Sequence, residues 1–147
     1  MEHQKKNDLF FVCSLIEYIA RKTKNTKKLV VEKLGENNIR KIYDLADVYH
    51  CENIEKVSNE FIEASEIQIG EYDCVSNCKY RVPTYWELGK IYKRLIVMVN
   101  DNPEEYISTL IKVLTSWIIE KIDNYNSSMY YENPEYIYQC FVEGKVL

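Results

Sequence analysis

The sequence contains few residues that interrupt regular structure, with four glycines and three prolines among 147 residues. Collagen-like and low-complexity chains are rich in these residues, so both classes are excluded. No run of about 18 apolar residues occurs, and we therefore expect no membrane-spanning helix and no membrane partner. The apolar stretch from Leu9 is interrupted by Glu17 and Arg21 and has no small-residue cleavage site after it, so we expect no secretory signal.

The motifs of common catalytic sites are also missing. The chain has no glycine-rich phosphate loop, no His-Glu-x-x-His and no Gly-x-Ser-x-Gly. With only two histidines, His3 and His50, few catalytic pairs can be built. These absences favour a non-enzymatic protein without a cofactor, and leave open an enzyme built on carboxylates and tyrosines.

Five cysteines are an odd number with irregular spacing, so we expect free thiols in a reducing cytoplasm rather than a disulfide framework. A metal-dependent enzyme or sensor is one alternative. Asp47 and His50 share a predicted helix face, and Cys74 and Cys78 follow in a loop. Zinc accepts thiolates together with an imidazole, so these four residues are the candidate metal ligands.

Helical periodicity dominates the chain, with an apolar residue at every third or fourth position. Each predicted helix has a capping residue at its start, and Gly35 and Gly144 are placed to end two of them. These signals predict an all-α fold, a compact bundle of about seven helices. The predicted helices begin at Asp8, Thr26, Asn38, Asn53, Thr84, Asn102 and Asn133.

The exception is a long segment without helical periodicity at residues 65–83. It predicts an irregular loop, with a short hairpin as the alternative, and connections this long often carry function. Residues 1–147 are predicted to form a single domain, with a front part at 8–64 and a back part at 84–144. Neither part has a glycine- or serine-rich edge, so the loop is not interpreted as a domain boundary.

Charge is distributed unevenly. Residues 1–41 hold ten Lys and Arg against five Asp and Glu, whereas the whole chain has a net charge of −4. The basic front third suggests a small DNA-binding regulator with a helix-turn-helix at residues 26–49. Its phosphate-contacting residues would be Lys27, Lys28, Arg40 and Lys41. Asp44 and Asp47 on the second of these helices oppose that interpretation.

The chain is rich in tyrosine, with thirteen residues, and also has two tryptophans. Both side chains offer a large contact area at a low entropy cost, which makes them frequent anchors of protein interfaces. They are concentrated beside the long loop and near the last helix. A protein partner or a homo-oligomer is therefore expected, with the candidate contacts Tyr80, Tyr85, Trp86, Tyr130 and Tyr131.

The stretch from Phe10 to Ile54 carries a resemblance. It combines an early apolar helix containing Glu17-Tyr18 with a later helix that runs from Tyr43 to His50. In this it resembles a family of small uncharacterised helical bacterial proteins, often encoded beside ADP-ribosyltransferase-like toxins. The chain departs from that family at Cys51, where a polar-glycine turn is usual. The resemblance implies an antitoxin, defence-associated or accessory role, so the leading hypothesis is a protein-interaction module.

Overall fold

The structure is a computed structural model that describes residues 2–147. These residues form eight α-helices and contain no strand, which confirms the all-α prediction and shows that the hairpin alternative was wrong. Short 3₁₀ turns at Pro103–Glu105 and Met129–Tyr131 precede the sixth and eighth helices. The helices are α1 (Glu2–Thr23), α2 (Lys27–Asp44), α3 (Ala46–His50), α4 (Ile54–Ala64), α5 (Tyr85–Val99), α6 (Tyr106–Leu114), α7 (Ile118–Asp123) and α8 (Pro134–Glu143).

Helix α1 lies at the centre of the molecule and packs against α2, α3, α4 and α5. Every side chain from Phe11 to Glu17 is buried, so this part of the helix is covered on all sides. Helix α5 runs antiparallel beside it, because Tyr18 meets Tyr85 at one end and Lys6 lies near Lys93 at the other. The remaining helices complete one continuous apolar core.

Most of the predicted helix starts are confirmed. Thr26, Asn53 and Asn133 each accept a hydrogen bond from a backbone N–H in the first helical turn. Thr84 and Glu87 form the predicted capping box, in which each side chain accepts from the other residue's N–H. At the other end of the chain, Gly144 adopts the left-handed conformation and ends α8.

Two predicted helix boundaries were wrong, and a third was confirmed. Asp8 does not cap α1; the helix already begins at Glu2, and the Asp8 carboxylate accepts from Gln4 instead. The predicted end of the second helix at Gly35 is confirmed, because Gly35 has a non-helical conformation with φ 76°, and α2 comprises the helical residues on both sides of this kink. The pattern from Ile107 to Ile122 is divided into α6 and α7, and α6 ends at Leu114, where the Thr115 hydroxyl donates to the Ile111 carbonyl.

The loop at 65–83 is tied to the end of α1 by backbone hydrogen bonds. Gly70 N–H donates to the Thr23 carbonyl at 2.7 Å and Tyr72 N–H donates to the Lys24 carbonyl at 2.9 Å. A Cβ at position 70 would overlap the Asn25 side chain, so glycine is needed for this close approach. The loop therefore has a fixed course without forming a strand.

Among the helices of residues 2–147, none combines the length and the apolar character needed to cross a bilayer. This finding agrees with the expectation from the sequence.

The crossing of α1 and α5 leaves no room for a side chain at Gly89. A Cβ there would overlap Ser14 Oγ and lie 3.0 Å from Ser14 Cα. We expect Gly89→Ala to lower the free energy of unfolding, because overpacking costs about 1–3 kcal/mol, against about 1 kcal/mol gained in helix propensity. Urea unfolding followed by circular dichroism measures the difference.

Two variants serve as controls for Gly89→Ala. Ser14→Ala should be neutral or stabilising, since Ser14 Oγ is buried without a hydrogen-bond partner among the described residues. The exchange Ser14→Gly with Gly89→Ala keeps one Cβ at the crossing and should recover most of the lost stability. A single Gly89→Ala variant as stable as the natural chain would contradict the close packing.

Candidate functional site

The most concentrated set of charged groups lies inside the protein, where α1, α2 and α7 meet. Lys27, the first residue of α2, is 1% exposed, and Glu17 and Asp123 are 0% and 3% exposed. The Lys27 ammonium lies 2.6 Å from Asp123 Oδ1 and 3.0 Å from Glu17 Oε1. One lysine thus joins two carboxylates from distant parts of the chain, and we call this set the buried charge cluster.

Further donors satisfy every oxygen of the two carboxylates. Arg21 Nε donates to Glu17 Oε2 at 2.8 Å, one turn along α1. The Tyr92 hydroxyl donates to Glu17 Oε1, the Tyr125 hydroxyl to Glu17 Oε2, and the Tyr72 hydroxyl to Asp123 Oδ2. Two cations and two anions therefore balance each other, as buried charges require.

The pKa shifts in the cluster follow from this arrangement. Burial alone would raise the pKa of Glu17, but Lys27 and Arg21 outweigh it and hold that pKa below its ordinary value. Burial raises the pKa of Asp123, which shares Lys27 with Glu17. Burial would lower the pKa of Lys27, yet the two carboxylates raise it. Lys27 therefore stays an ammonium ion, held between the two carboxylates.

The cluster offers no free amine or phenolate. Burial, followed by the charge of the nearby carboxylates, raises the pKa values of Tyr92 and Tyr125. Burial also raises the pKa of Cys74, whose side chain lies near the cluster at a shallow crevice lined by Tyr72, Asp123 and Tyr125. The two tyrosine hydroxyls and the Cys74 thiol are therefore protonated at neutral pH. The role of the cluster is structural, since its contacts join the helices in the interior.

A different region offers accessible surface. A groove of about 340 Å³ lies between α5 and the start of α8, with the Met129–Tyr131 turn at one end. Apolar side chains from both helices line it, including Ile91, Leu95 and Ile137. It adjoins a second depression of about 420 Å³ that reaches Lys6 and Met98 and shares Arg94, Asn133 and Pro134 with it. We call the two together the α5–α8 groove.

The local sequence fixes the end of this groove. Asn133 caps α8 and Pro134 takes its first position, which sets the direction of the helix after the turn. In the turn, the Tyr130 ring packs edge-on against Tyr125 at 5.6 Å and against Tyr131 at 4.9 Å. The Tyr131 side chain is 68% exposed, so it is a large ring held at the rim by its neighbours.

The five aromatic residues predicted to bind a partner lie in three different places. Tyr130 and Tyr131 line the α5–α8 groove. Tyr85 and Trp86 pack against rings of α1, with Tyr85 edge-on to Tyr18 and Trp86 near Phe10. Tyr80, 69% exposed, belongs to the loop and does not line the groove.

The structure does not bring the predicted metal ligands together. The His50 ring stacks between Phe11 and Trp86, and the Asp47 carboxylate accepts from the Val48 N–H. Cys74 borders the buried charge cluster, and the Cys78 thiol donates to the Tyr80 carbonyl. Across the part of the chain that is described, no three His, Cys, Asp or Glu side chains are arranged to hold a metal ion. The structure therefore contradicts the prediction that these four residues form a metal site.

The proposed helix-turn-helix also needs correction. Lys27 is enclosed in the buried charge cluster, so it cannot reach a phosphate. Arg40 pairs with Glu36 at 2.7 Å, while Lys28 and Lys41 are exposed. The intended recognition helix is interrupted at Leu45, between α2 and α3. Two of the four predicted contacts remain exposed and unpaired among the described residues.

Glu17, Lys27 and Asp123 were not predicted from the sequence to form a set. A signal was present, because Glu17 stands among the apolar residues of α1 and Asp123 follows directly after Ile122. A charged residue on an apolar helix face indicates a buried partner of opposite charge. The pattern does not say which partner, since 96 residues separate Lys27 from Asp123.

Comparisons of the chain with protein-family models, with curated proteins and with solved structures find no match. The resemblance of the stretch from Phe10 to Ile54 to toxin-associated helical proteins therefore stays a prediction.

The geometry of the buried charge cluster predicts unequal effects of two isosteric substitutions. Glu17→Gln leaves Lys27 and Arg21 with a single buried carboxylate, a change that costs about 3–5 kcal/mol. Asp123→Asn should cost less, about 1–3 kcal/mol, because Lys27 keeps its pairing with Glu17. Urea unfolding at neutral pH measures both, and an equal or reversed order would contradict the assigned pairing.

The difference in stability between the natural chain and Glu17→Gln should also depend on pH. The folded-state pKa of Glu17 is below its ordinary value of 4.5, so its stabilising contribution is complete above that pH and is lost as the pH falls through the folded-state pKa. The stability difference between the natural chain and Glu17→Gln should therefore be constant near neutrality and shrink below pH 4.5. A difference that persists unchanged in acid would show that the charge of Glu17 is not responsible.

Proposed function

We propose that this chain is a non-enzymatic protein-interaction module that binds its partner through the α5–α8 groove. The observation that carries this proposal is an apolar groove about 340 Å³ in volume, with the exposed ring of Tyr131 at its rim. Apolar concavities bordered by tyrosine are typical of protein contact sites, where a rigid ring anchors the complex.

The surroundings of the groove support this role. Its walls are two capped helices that belong to the main core, with Leu88, Leu95 and Ile137 buried beneath the surface. Such a scaffold keeps the groove in shape before binding, which lowers the entropy lost in the complex. The buried charge cluster is paired in the interior, so it supplies no competing surface site.

The biological setting is proposed from the sequence resemblance. An antitoxin, defence-associated or accessory protein acts by covering a surface of another protein, and an exposed apolar groove suits that task. We therefore propose a bacterial toxin–antitoxin or related module as the context in which this groove binds a protein partner.

The test is purification of a tagged chain from the cells that produce it, in three versions. The natural chain should recover a stoichiometric protein partner. Tyr131→Ala should lose most of it, because hot-spot tyrosines contribute about 2 kcal/mol or more, roughly a 30-fold change in affinity. The control Ile69→Ala changes a loop residue that is 70% exposed and lies outside the groove lining, and it should retain the partner.

Circular dichroism of the three chains checks that each is folded. Absence of any stoichiometric protein with the natural chain would overturn the proposal. Equal recovery by the natural chain and Tyr131→Ala would show that the partner binds elsewhere.

A further inference from the structure

Four cationic side chains stand together along the α5–α8 groove. Lys90 and Arg94 line its first part, and Lys6, Lys93 and Arg94 line the second. Their mutual proximity is visible at Lys93, whose pKa is lowered first by burial and then by Arg94, Lys6 and Lys90. This is a concentration of positive charge on a chain whose net charge is −4.

These cations have little pairing within the described chain. Lys90, Lys93 and Arg94 have no carboxylate of residues 3–147 within 4 Å, and Lys6 has only a loose contact of 3.8 Å with Asp101. The nearby carboxylates are partly engaged elsewhere: Glu87 pairs with Arg81 at 3.0 Å, and Glu132 accepts from Ser128. The groove therefore presents unpaired positive charge beside an apolar floor.

The dimensions of the groove point to a helix as its occupant. Its lining on α5 extends from Glu87 to Met98. Eleven residue steps at 1.5 Å each correspond to about 16 Å, or three helical turns. An amphipathic helix of that length places apolar side chains at positions i, i+3, i+4 and i+7 on such a floor.

We propose that the α5–α8 groove binds an acidic amphipathic helix of a partner protein. Its apolar face would cover the partly exposed Ile91 and Met98 and the ring of Tyr131, and its carboxylates would face Lys90, Lys93 and Arg94. This inference rests on the proposed function and adds the chemistry of the partner segment. A nucleic acid has no apolar side chains to cover the floor, so it would leave the apolar part of the groove unoccupied.

The probe is a 14-residue hydrocarbon-stapled peptide, since unconstrained helices this short are marginal in water. It carries leucine on one face and glutamate on both flanks. Binding is followed by amide chemical shifts of the isotope-labelled chain at low and high salt. A second peptide replaces every glutamate by lysine, and a third replaces every leucine by serine.

The acidic peptide should shift the amides of the groove, including those of Ile91, Tyr131 and Ile137. The lysine and serine peptides should each bind at least tenfold more weakly, and added salt should weaken the acidic peptide. The variant Lys90→Glu/Arg94→Glu should lose at least tenfold in affinity for it. The matched control Lys28→Glu/Lys33→Glu changes two exposed residues of α2 and should bind normally.

Equal binding of the acidic and lysine peptides, or shifts outside the groove, would overturn the inference. So would a single-stranded oligonucleotide that binds the groove more tightly than the acidic peptide. If the cellular partner is lost with Tyr131→Ala but retained with Lys90→Glu/Arg94→Glu, the proposed function stands and the acidic helix is rejected. If no cellular partner exists, the proposed function itself fails.

Discussion

Lys27 is held between Glu17 and Asp123 in the interior, and the arrangement of the helices depends on this contact. It joins the middle of α1, the start of α2 and the end of α7, and Tyr92 adds α5 to the same group. A buried charge is costly unless it is paired and hydrogen bonded, so a packing that separated Lys27 from these carboxylates would be destabilised. The cluster thereby favours one packing of helices that otherwise bury similar apolar faces.

The position of α5 follows from that cluster and from the tight crossing at Ser14 and Gly89. Since Tyr92 faces the interior, the opposite side of α5 is turned outward, with Lys90 and Arg94 exposed. Helix α8 packs along this helix and leaves the apolar lining between the two only partly covered. The groove is thus formed where two helices of the rigid core meet, rather than by a mobile segment.

A tyrosine has two uses in this protein. Tyr72, Tyr92 and Tyr125 donate their hydroxyls to buried carboxylates, and the rings of Tyr92 and Tyr125 also fill the core. Tyr131 instead presents its ring to solvent beside the groove. The high tyrosine content therefore has a structural component as well as the interfacial one that we propose. Composition alone does not separate the two, because both uses call for a ring with a polar end.

The sequence by itself determined the helical class, the capping residues Thr26, Thr84 and Asn133, and the irregular loop, because these features depend on contacts within a few residues. It did not determine that Lys27 is buried rather than available to a phosphate, nor that Tyr131 borders a groove while Trp86 packs on α1. Those outcomes rest on contacts between residues far apart in the chain. Local periodicity says which face of a helix is apolar, and only the packed tertiary structure decides which neighbour covers it.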